Sequence, residues 1–164
     1  MATTLFTIGY EGADLADFVA TLQAVGVPRV VDVRALAISR RKGFAKRALS
    51  SALTEAGIEY VHLKGLGNPK PGREAAWAGD DAGFRAIFTS HLATEVAQVD
   101  LALAASLVAD GNSCLLCFER DHKVCHRAIV ADALSGMVHV TIRHLGVTSG
   151  LAERQPASRE FRHT

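Results

Sequence analysis

The chain has 164 residues, of which 49% are hydrophobic, and a formal net charge of +1 at pH 7. This length and apolar content fit one globular domain, and the charge balance argues against a wholesale nucleic-acid binder, although a local basic patch stays compatible with it. Three cysteines, an odd number, argue against a secreted disulfide framework and predict a reducing, cytoplasmic location. The amino terminus lacks a signal-peptide layout. No membrane span is expected, because charged and polar residues interrupt the apolar stretch at 92–109.

Five short apolar segments are expected to be strands, and helical patterns separate them. The strands are expected at residues 5–8, 29–34, 58–63, 113–118 and 138–145. The helices are expected between Asp14, as N-cap, and Gly26, and over residues 45–56, 81–90, 92–109 and 122–135, the last one capped by Asp121. This alternation predicts a three-layer α/β fold, in which helices cover both faces of a mostly parallel sheet of about five strands.

Further expectations concern the connections and the ends of the chain. Residues 64–73, rich in Gly, Pro and Lys, are expected to form a long functional or mobile loop. The stripe of the 92–109 helix expected to face the core is Leu92, Val96, Val99, Leu103 and Leu107. We expect a single domain over residues 1–149 and a flexible tail over residues 150–164.

Unusual polar residues stand where the predicted strands end. Tyr10 follows the first strand, and Asp32 and Arg34 end the second. His62 lies at the end of the third strand, and Glu119 follows the fourth. Because ligands of parallel α/β sheets bind beyond the carboxyl ends of the strands, we expect these side chains to line one site.

The helix after the fourth strand begins with Cys125, His126 and Arg127. A helix N-terminus and cationic neighbours favour the thiolate form of a cysteine. We therefore interpret Cys125 as a nucleophile or metal ligand and His126 as an acid or base, with Asp32 or Glu119 as the orienting carboxylate. The alternative is that Cys125 is a half-buried structural cysteine.

Metal binding is a second interpretation of the same segment. Cys117, Cys125 and His126, or His122 in place of His126, offer ligands for zinc, but a second clean ligand pair is absent. An open catalytic site stays compatible with three ligands, although no cofactor is firmly implied. On a strand, Cys117 and Glu119 share one face, whereas residues three apart point to opposite faces.

Cationic residues indicate an anionic partner. Arg34 and Arg127 are predicted to hold an anion, although Arg34 and Asp32 also suit a plain salt bridge. Arg40 and Arg41 begin a basic run, which suits phosphate or nucleic-acid contact or is simply a solvated face. The run comprises Arg40, Arg41, Lys42, Lys46 and Arg47, and Lys64, Lys70 and Arg73 would add to its potential if their loop folds over the site.

Taken together, several short motifs resemble those of the DUF488 family, a set of small bacterial and archaeal proteins. They occupy residues 7–12, 31–34, 39–44, 57–63, 66–67, 116–119 and 125–127. The resemblance implies an α/β fold with a shared polar site and supplies no reaction. Residues 35–38 depart from the pattern, because the family often has a proline there. The segment 32–34 is also similar to rhodaneses, but their cysteine-headed active loop is absent, so sulfur transfer is the weaker interpretation.

The leading hypothesis is an enzyme acting on a small anionic substrate that carries a phosphate or a nucleotide. The first alternative is a nucleic-acid or nucleotide binding module without chemistry, which would use the loop at residues 40–47. The second alternative is a zinc-binding protein. The sequence does not indicate the substrate or the oligomeric state.

Overall fold

Five parallel strands form the sheet at the centre of the fold in a computed structural model, which describes residues 3–154. The strands are β1 (Thr3–Gly9), β2 (Arg29–Asp32), β3 (Glu59–His62), β4 (Ser113–Cys117) and β5 (Val140–Leu145). The helices are α1 (Leu15–Val25), α2 (Lys46–Glu55), α3 (Lys70–Trp77), α4 (Asp81–Leu92), α5 (Glu95–Asp110) and α6 (His126–Ser135). The strands lie in the order β3-β2-β4-β1-β5.

Helices cover both faces of this sheet. On one face, α1 and α2 enclose a core cluster that includes Phe18, Phe44 and Leu49. On the other face, α4, α5 and α6 enclose a second cluster, with Phe88 and Leu101 among its members. Every residue of β4 is buried, because this strand is covered from both sides. The predicted three-layer α/β fold is confirmed.

The strand order creates a crevice between β1 and β4. These strands are neighbours in the sheet, but the chain leaves β1 towards α1 on one face and leaves β4 towards α6 on the other. Connections that diverge in this way open a gap at the carboxyl ends of the strands. Two hydrogen bonds hold the start of the gap together, from the Tyr10 amide to the Cys117 carbonyl at 3.3 Å and from the Glu11 amide to the Phe118 carbonyl at 2.9 Å.

The ends of α1 follow the expected capping chemistry. The Asp14 carboxylate accepts a hydrogen bond from the Asp17 amide at 2.8 Å, as an N-cap side chain does. Gly26 ends the helix with a φ of 84°, a left-handed conformation that glycine adopts without steric cost. Both boundaries were predictable because the cap residues act locally.

The predicted core stripe of the 92–109 helix is wrong at three of its five positions, whereas Leu92 and Leu107 do pack against the core. Val96, Val99 and Leu103 are 66%, 56% and 51% exposed. The buried face of α5 instead consists of Ala97, Leu101, Ala104, Ala105 and Val108. Small alanines let the helix backbone approach the sheet closely, and periodicity did not separate this alanine-rich face from the bulkier one beside it.

Two other predicted segments differ from the structure. The expected loop at residues 64–73 contains a 3₁₀ turn, Lys64–Leu66, and the first residues of α3. The expected helix at residues 122–135 is divided into a 3₁₀ turn, His122–Val124, and α6. Asp121 therefore caps the short turn, by accepting from the Lys123 amide, and Cys125 occupies the N-cap position of α6.

The chain stays attached to α1 beyond residue 149. Asp17 accepts hydrogen bonds from the amides of Gly150 at 2.7 Å and Ala152 at 3.0 Å. A flexible tail therefore does not begin at residue 150, and residues 155–164 of that prediction lie outside the described residues.

Between residues 3 and 154, no single helix is both long enough and apolar enough to cross a membrane. One bent pair, Asp81–Leu92 with Glu95–Asp110, meets the length and composition criteria only when the two helices are counted together.

Candidate functional site

A cavity of about 340 Å³ opens at the carboxyl ends of β1, β2 and β4. We call it the rim pocket. Its walls are formed by Tyr10, residues 34–36 and 38–40, Asn68, Arg73, Trp77, residues 117–119 and His126. The pocket therefore brings together side chains that are distant in the sequence, at the position where the diverging connections of β1 and β4 predict a ligand site.

Two cysteines and a histidine form a buried cluster in one wall, which we call the cysteine–histidine centre. Cys117 ends β4, whereas Cys125 and His126 begin α6. The candidate ligand atoms of the three residues lie within 4.8 Å of one another. A disulfide joins Cys117 to Cys125 in the structure, although their Cα atoms are 7.6 Å apart. Cys117 and His126 line the rim pocket, and Cys125 lies behind them.

The imidazole of His126 has a defined orientation. Its Nε2 lies 2.7 Å from the Val33 carbonyl oxygen, which only accepts hydrogen bonds, so Nε2 carries the proton. Nδ1 then presents its lone pair towards Cys125 Sγ, 3.9 Å away. Burial lowers the pKa of His126 to about 4, so the ring is neutral at pH 7. The carbonyl of Val33, and neither of the two predicted carboxylates, Asp32 and Glu119, orients His126.

Glu119 supplies a carboxyl group to the same wall. Its Oε2 lies 3.9 Å from Cys117 Sγ, as the prediction that the two residues share a strand face requires. Burial raises the pKa of Glu119 above the usual value, because loss of solvent disfavours the charged form. A raised pKa brings a carboxyl group closer to the range in which it can both give and take protons.

Asp32 and Arg34 form a buried ion pair. The Arg34 guanidinium donates to the Asp32 carboxylate, with Nη2 at 2.7 Å and Nε at 2.9 Å. Arg34 Nη1 also donates to the Phe44 carbonyl at 2.7 Å. The Tyr60 hydroxyl donates to Asp32 at 2.5 Å, and burial together with this hydrogen bond raises the pKa of Tyr60. Most donors of Arg34 are thus engaged by the protein, although the residue lines the rim pocket.

Arg127 is fully buried and holds the end of β4. It donates to Thr7 Oγ1 at 3.1 Å, to Cys117 Sγ at 3.4 Å, to the Arg120 carbonyl at 3.3 Å and to the Glu119 carbonyl. Burial lowers the pKa of Arg127. Arg127 does not line the rim pocket, so its direct contacts are structural.

Besides Cys125 and Arg127, three more predicted site residues lie outside the walls of the pocket. His62 Nε2 is 2.8 Å from the Arg34 carbonyl and secures the end of β2. Arg41 Nε donates to the Ala13 carbonyl, and Arg41 lines a smaller neighbouring cavity. Asp32 is completely buried beneath Arg34.

Besides Arg34, two other cations line the pocket, Arg40 and Arg73. The protein itself accepts few hydrogen bonds from their guanidinium groups. Arg40 is exposed, and Arg73 Nη1 donates to the Asn68 carbonyl at 2.8 Å. Arg73 was expected to contribute if its loop folded over the site, and α3 brings it there.

Asn68 is a pocket residue that the sequence analysis missed. It is buried, and its side-chain oxygen Oδ1 has no hydrogen-bond partner within the described residues. Gly72 makes room for the amide, because a Cβ at that position would lie 2.0 Å from Asn68 Oδ1. An asparagine between Gly67 and Pro69 is typical of a turn. The sequence therefore did not indicate that Asn68 lines the pocket.

Large apolar side chains surround the mouth of the pocket. Leu36, Ile38, Trp77 and Phe118 all line it and are all exposed. Exposed apolar residues grouped around a concave site mark a ligand-binding surface more often than residues scattered singly do.

Comparison with known proteins gives a match to a protein family. The model of a family described as "Domain of unknown function DUF488" matches residues 14–134, which is most of the chain. The resemblance inferred from the motifs is therefore confirmed, although the matched region begins after the motif at residues 7–12. No curated protein and no solved structure matches the chain.

Proposed function

The chain belongs to the DUF488 family, and on that premise we propose that it is an enzyme acting on a small anionic substrate bound in the rim pocket. A single observation carries the proposal. One cavity is lined by a cysteine, a histidine and a carboxyl group, Cys117, His126 and Glu119, and also by the cations Arg40 and Arg73. Reactive groups beside anion-binding groups in one concave site are typical of enzymes.

The anion would be held by Arg40 and Arg73. Arginine donates in a fork that matches carboxylate and phosphate oxygens, and these two side chains have donors to spare. Arg34 and Arg127 were the predicted anion ligands, but the protein itself engages most of their donors. In this proposal Arg34 and Arg127 contribute positive potential and rigidity, whereas Arg40 and Arg73 contact the anion directly.

The chemistry would take place at the wall that carries the cysteine–histidine centre. Cys117, with its disulfide to Cys125 reduced, takes the place that the sequence analysis gave to Cys125, because Cys117 is the cysteine that lines the pocket. Glu119 would transfer protons to and from the substrate, since its pKa is raised by burial. A hydrolysis or group transfer next to the anionic group fits this set of residues.

The rest of the pocket favours a substrate that also has an apolar ring. Leu36, Ile38 and Trp77 would cover such a ring, and the buried Asn68 oxygen, which has no partner within the described residues, would accept from a ring N–H once the amide turns towards the cavity. A nucleotide combines a phosphate with a flat ring that carries N–H groups, and its volume suits a cavity of about 340 Å³.

Binding and turnover can be tested separately. Inorganic phosphate, ribose 5-phosphate and the common nucleoside monophosphates would be titrated against the full chain by ligand-observed NMR, and turnover would be followed by phosphorus NMR. We expect a nucleoside monophosphate to bind best, and Arg40→Ala and Arg73→Ala each to weaken it by about tenfold or more, the cost of one charged hydrogen bond.

Matched variants give the controls. Arg47 is exposed and does not line the pocket, so Arg47→Ala should bind like the wild type. Cys117→Ser and Glu119→Gln should bind the ligand and lose turnover. Equal binding by the Arg40, Arg73 and Arg47 variants, or full turnover by Cys117→Ser, would remove the proposal.

A nucleic-acid partner is the second candidate. The side chains of the basic run, Arg40, Arg41, Lys42, Lys46 and Arg47, are all exposed, and Leu36 and Ile38 project beside them. A single-stranded oligonucleotide should then bind with an affinity that falls steeply with salt. Charge reversal at Arg41 and Lys42 should weaken it while Cys117→Ser has no effect, and binding that is independent of salt would exclude this candidate.

A further inference from the structure

The side chains of the cysteine–histidine centre have the composition of a metal site. Cys117, Cys125 and His126 are all buried, and their potential ligand atoms lie within 4.8 Å of one another. With the Cys117–Cys125 disulfide reduced, two thiolates and one imidazole form a soft ligand set of the kind that zinc prefers. Within the described residues, this is the group of three potential ligands that lies close enough together to hold one ion.

The structure joins the two cysteines by a disulfide, but their backbone spacing is wider than such a bond usually has, and it suits an ion that bridges the two thiolates once they are reduced. Their Cα atoms are 7.6 Å apart, whereas cysteines joined by a disulfide usually have Cα atoms about 4.4–6.8 Å apart. An ion bound by both sulfurs, with each zinc–sulfur bond about 2.3 Å long, accommodates a wider separation of the two backbones. In a reducing compartment both cysteines would be free to serve as ligands.

The surroundings of the ligands support the same assignment. The Nε2–H of His126 is held by the Val33 carbonyl at 2.7 Å, which leaves Nδ1 facing the sulfurs. A carbonyl that fixes the second nitrogen is the usual partner of a metal-binding histidine. Arg127 Nη1 donates to Cys117 Sγ at 3.4 Å, and this hydrogen bond from a cation favours the thiolate form that binds metals.

The position of the centre leaves one side open. Cys117 and His126 form part of the pocket wall, whereas Cys125 lies behind it. Three protein ligands with a fourth position open to a cavity are typical of catalytic zinc sites, in contrast to closed structural ones. Glu119 Oε2, 3.9 Å from Cys117 Sγ, lies next to this open side.

We propose that Cys117, Cys125 and His126 bind one zinc ion whose fourth coordination position faces the rim pocket. This inference goes beyond the proposed function and does not depend on it, because an ion can bind whether or not the pocket turns over a substrate. If both hold, the ion would bind a water molecule or a substrate oxygen at the wall where Glu119 transfers protons.

The test begins with the metal content of the full chain. Untagged protein purified with a reductant and without chelators should contain about one equivalent of zinc by elemental analysis. Replacement by Co²⁺ should give visible bands of a tetrahedral ion together with sulfur-to-cobalt charge transfer. Cys117→Ser, Cys125→Ser and His126→Gln should each weaken zinc binding by more than about a hundredfold, since even outer partners of such sites contribute 10–100-fold.

Cys114 provides the matched control. It belongs to the same strand as Cys117 but is buried in the core cluster on the opposite face of the sheet, so Cys114→Ala should keep the full equivalent of zinc. If a ligand variant fails to fold, Co²⁺ titration of the wild type still decides. Fully reduced wild-type protein that shows no sulfur-to-cobalt charge-transfer band would overturn the proposal. A protein whose mass stays two hydrogens lower under reductant would also overturn it, because the disulfide would then persist.

The outcomes also separate the two proposals. If the protein binds one equivalent of zinc but none of the anionic probes, the proposed metal site is supported and the proposed enzymatic function fails. If it binds an anion through Arg40 and Arg73 but takes up no zinc, the metal site fails and the proposed function is supported.

Discussion

Two pairs of arginines at the same end of the sheet differ in what they contact. Arg34 and Arg127 are buried, and their guanidinium groups donate to Asp32, Phe44, Glu119 and other groups of the protein. Arg40 and Arg73 lie at the mouth of the rim pocket, where Arg40 is exposed and Arg73 makes one hydrogen bond to the chain.

The difference shows that charge near a site is not the same as charge available to a ligand. Burial of a guanidinium group is costly unless its N–H donors are hydrogen-bonded. Arg34 and Arg127 can be buried because the fold supplies acceptors for these donors. The protein engages few donors of Arg40 and Arg73, and in the proposed function these donors bind the anion. Mutations of the first pair should therefore affect stability, and mutations of the second pair should affect binding.

The largest effect is expected for Arg34→Met. It leaves the Asp32 carboxylate buried without its cation, and loss of one partner from a buried ion pair costs about 3–5 kcal/mol of unfolding free energy. Urea denaturation followed by circular dichroism would measure this. Arg29→Met is the control, because the partly exposed pair of Arg29 with Glu59 should contribute only about 0–1 kcal/mol.

A somewhat smaller loss is expected for Arg127→Met, about 2–4 kcal/mol, because the carbonyls of Glu119 and Arg120 lose their donor and the site is only partly refilled. Cys117 would also lose the hydrogen bond from Nη1. Urea denaturation would measure the loss of stability, and the rate of thiol alkylation would report the loss of the hydrogen bond to Cys117. A stability equal to that of the wild type would show that Arg127 is available for a ligand after all.

Asn68→Leu should leave the unfolding free energy unchanged or raise it by about 1 kcal/mol, since a buried acceptor without a partner is removed. The same variant should bind a nucleoside monophosphate more weakly than the wild type, while its affinity for inorganic phosphate stays the same. A marked loss of stability would mean that the amide is satisfied within the protein and serves packing alone.

The smallest change in stability, within about 0.5 kcal/mol, is expected for Arg40→Ala, as for most exposed positions. Thermal denaturation without ligand would test this, and the stabilisation that the bound anion adds to the wild type should be reduced. If Arg40→Ala unfolded as readily as Arg34→Met, the contrast between the two pairs of arginines would disappear.

The sequence was sufficient to predict that polar side chains from separate strands meet at one end of the sheet, because parallel strands end on the same side. This single rule brought Tyr10, Glu119 and His126 to one wall, and alternation along a strand correctly put Cys117 on the same side as Glu119. Caps such as Asp14 were predictable because their hydrogen bonds are local.

What could not be predicted depends on contacts between distant segments. The donors of Arg34 are engaged by Phe44 and Tyr10 as well as by Asp32, and no spacing along the chain indicates this. The buried face of α5 depends on how closely its alanines approach the sheet. Asn68 is a functional candidate only because α3 folds over the pocket and leaves its oxygen without a donor.

The contact between Gly72 and Asn68 has a consequence for how this domain could change. Gly72 lies in the first turn of α3, where alanine would favour the helix by up to about 1 kcal/mol. A methyl group there would collide with Asn68 Oδ1 and force the amide to move. In the proposed function, a single added carbon at this position would therefore exchange ligand selectivity for helix stability, and residue 72 would be a place to retune the specificity of the domain without rebuilding its fold.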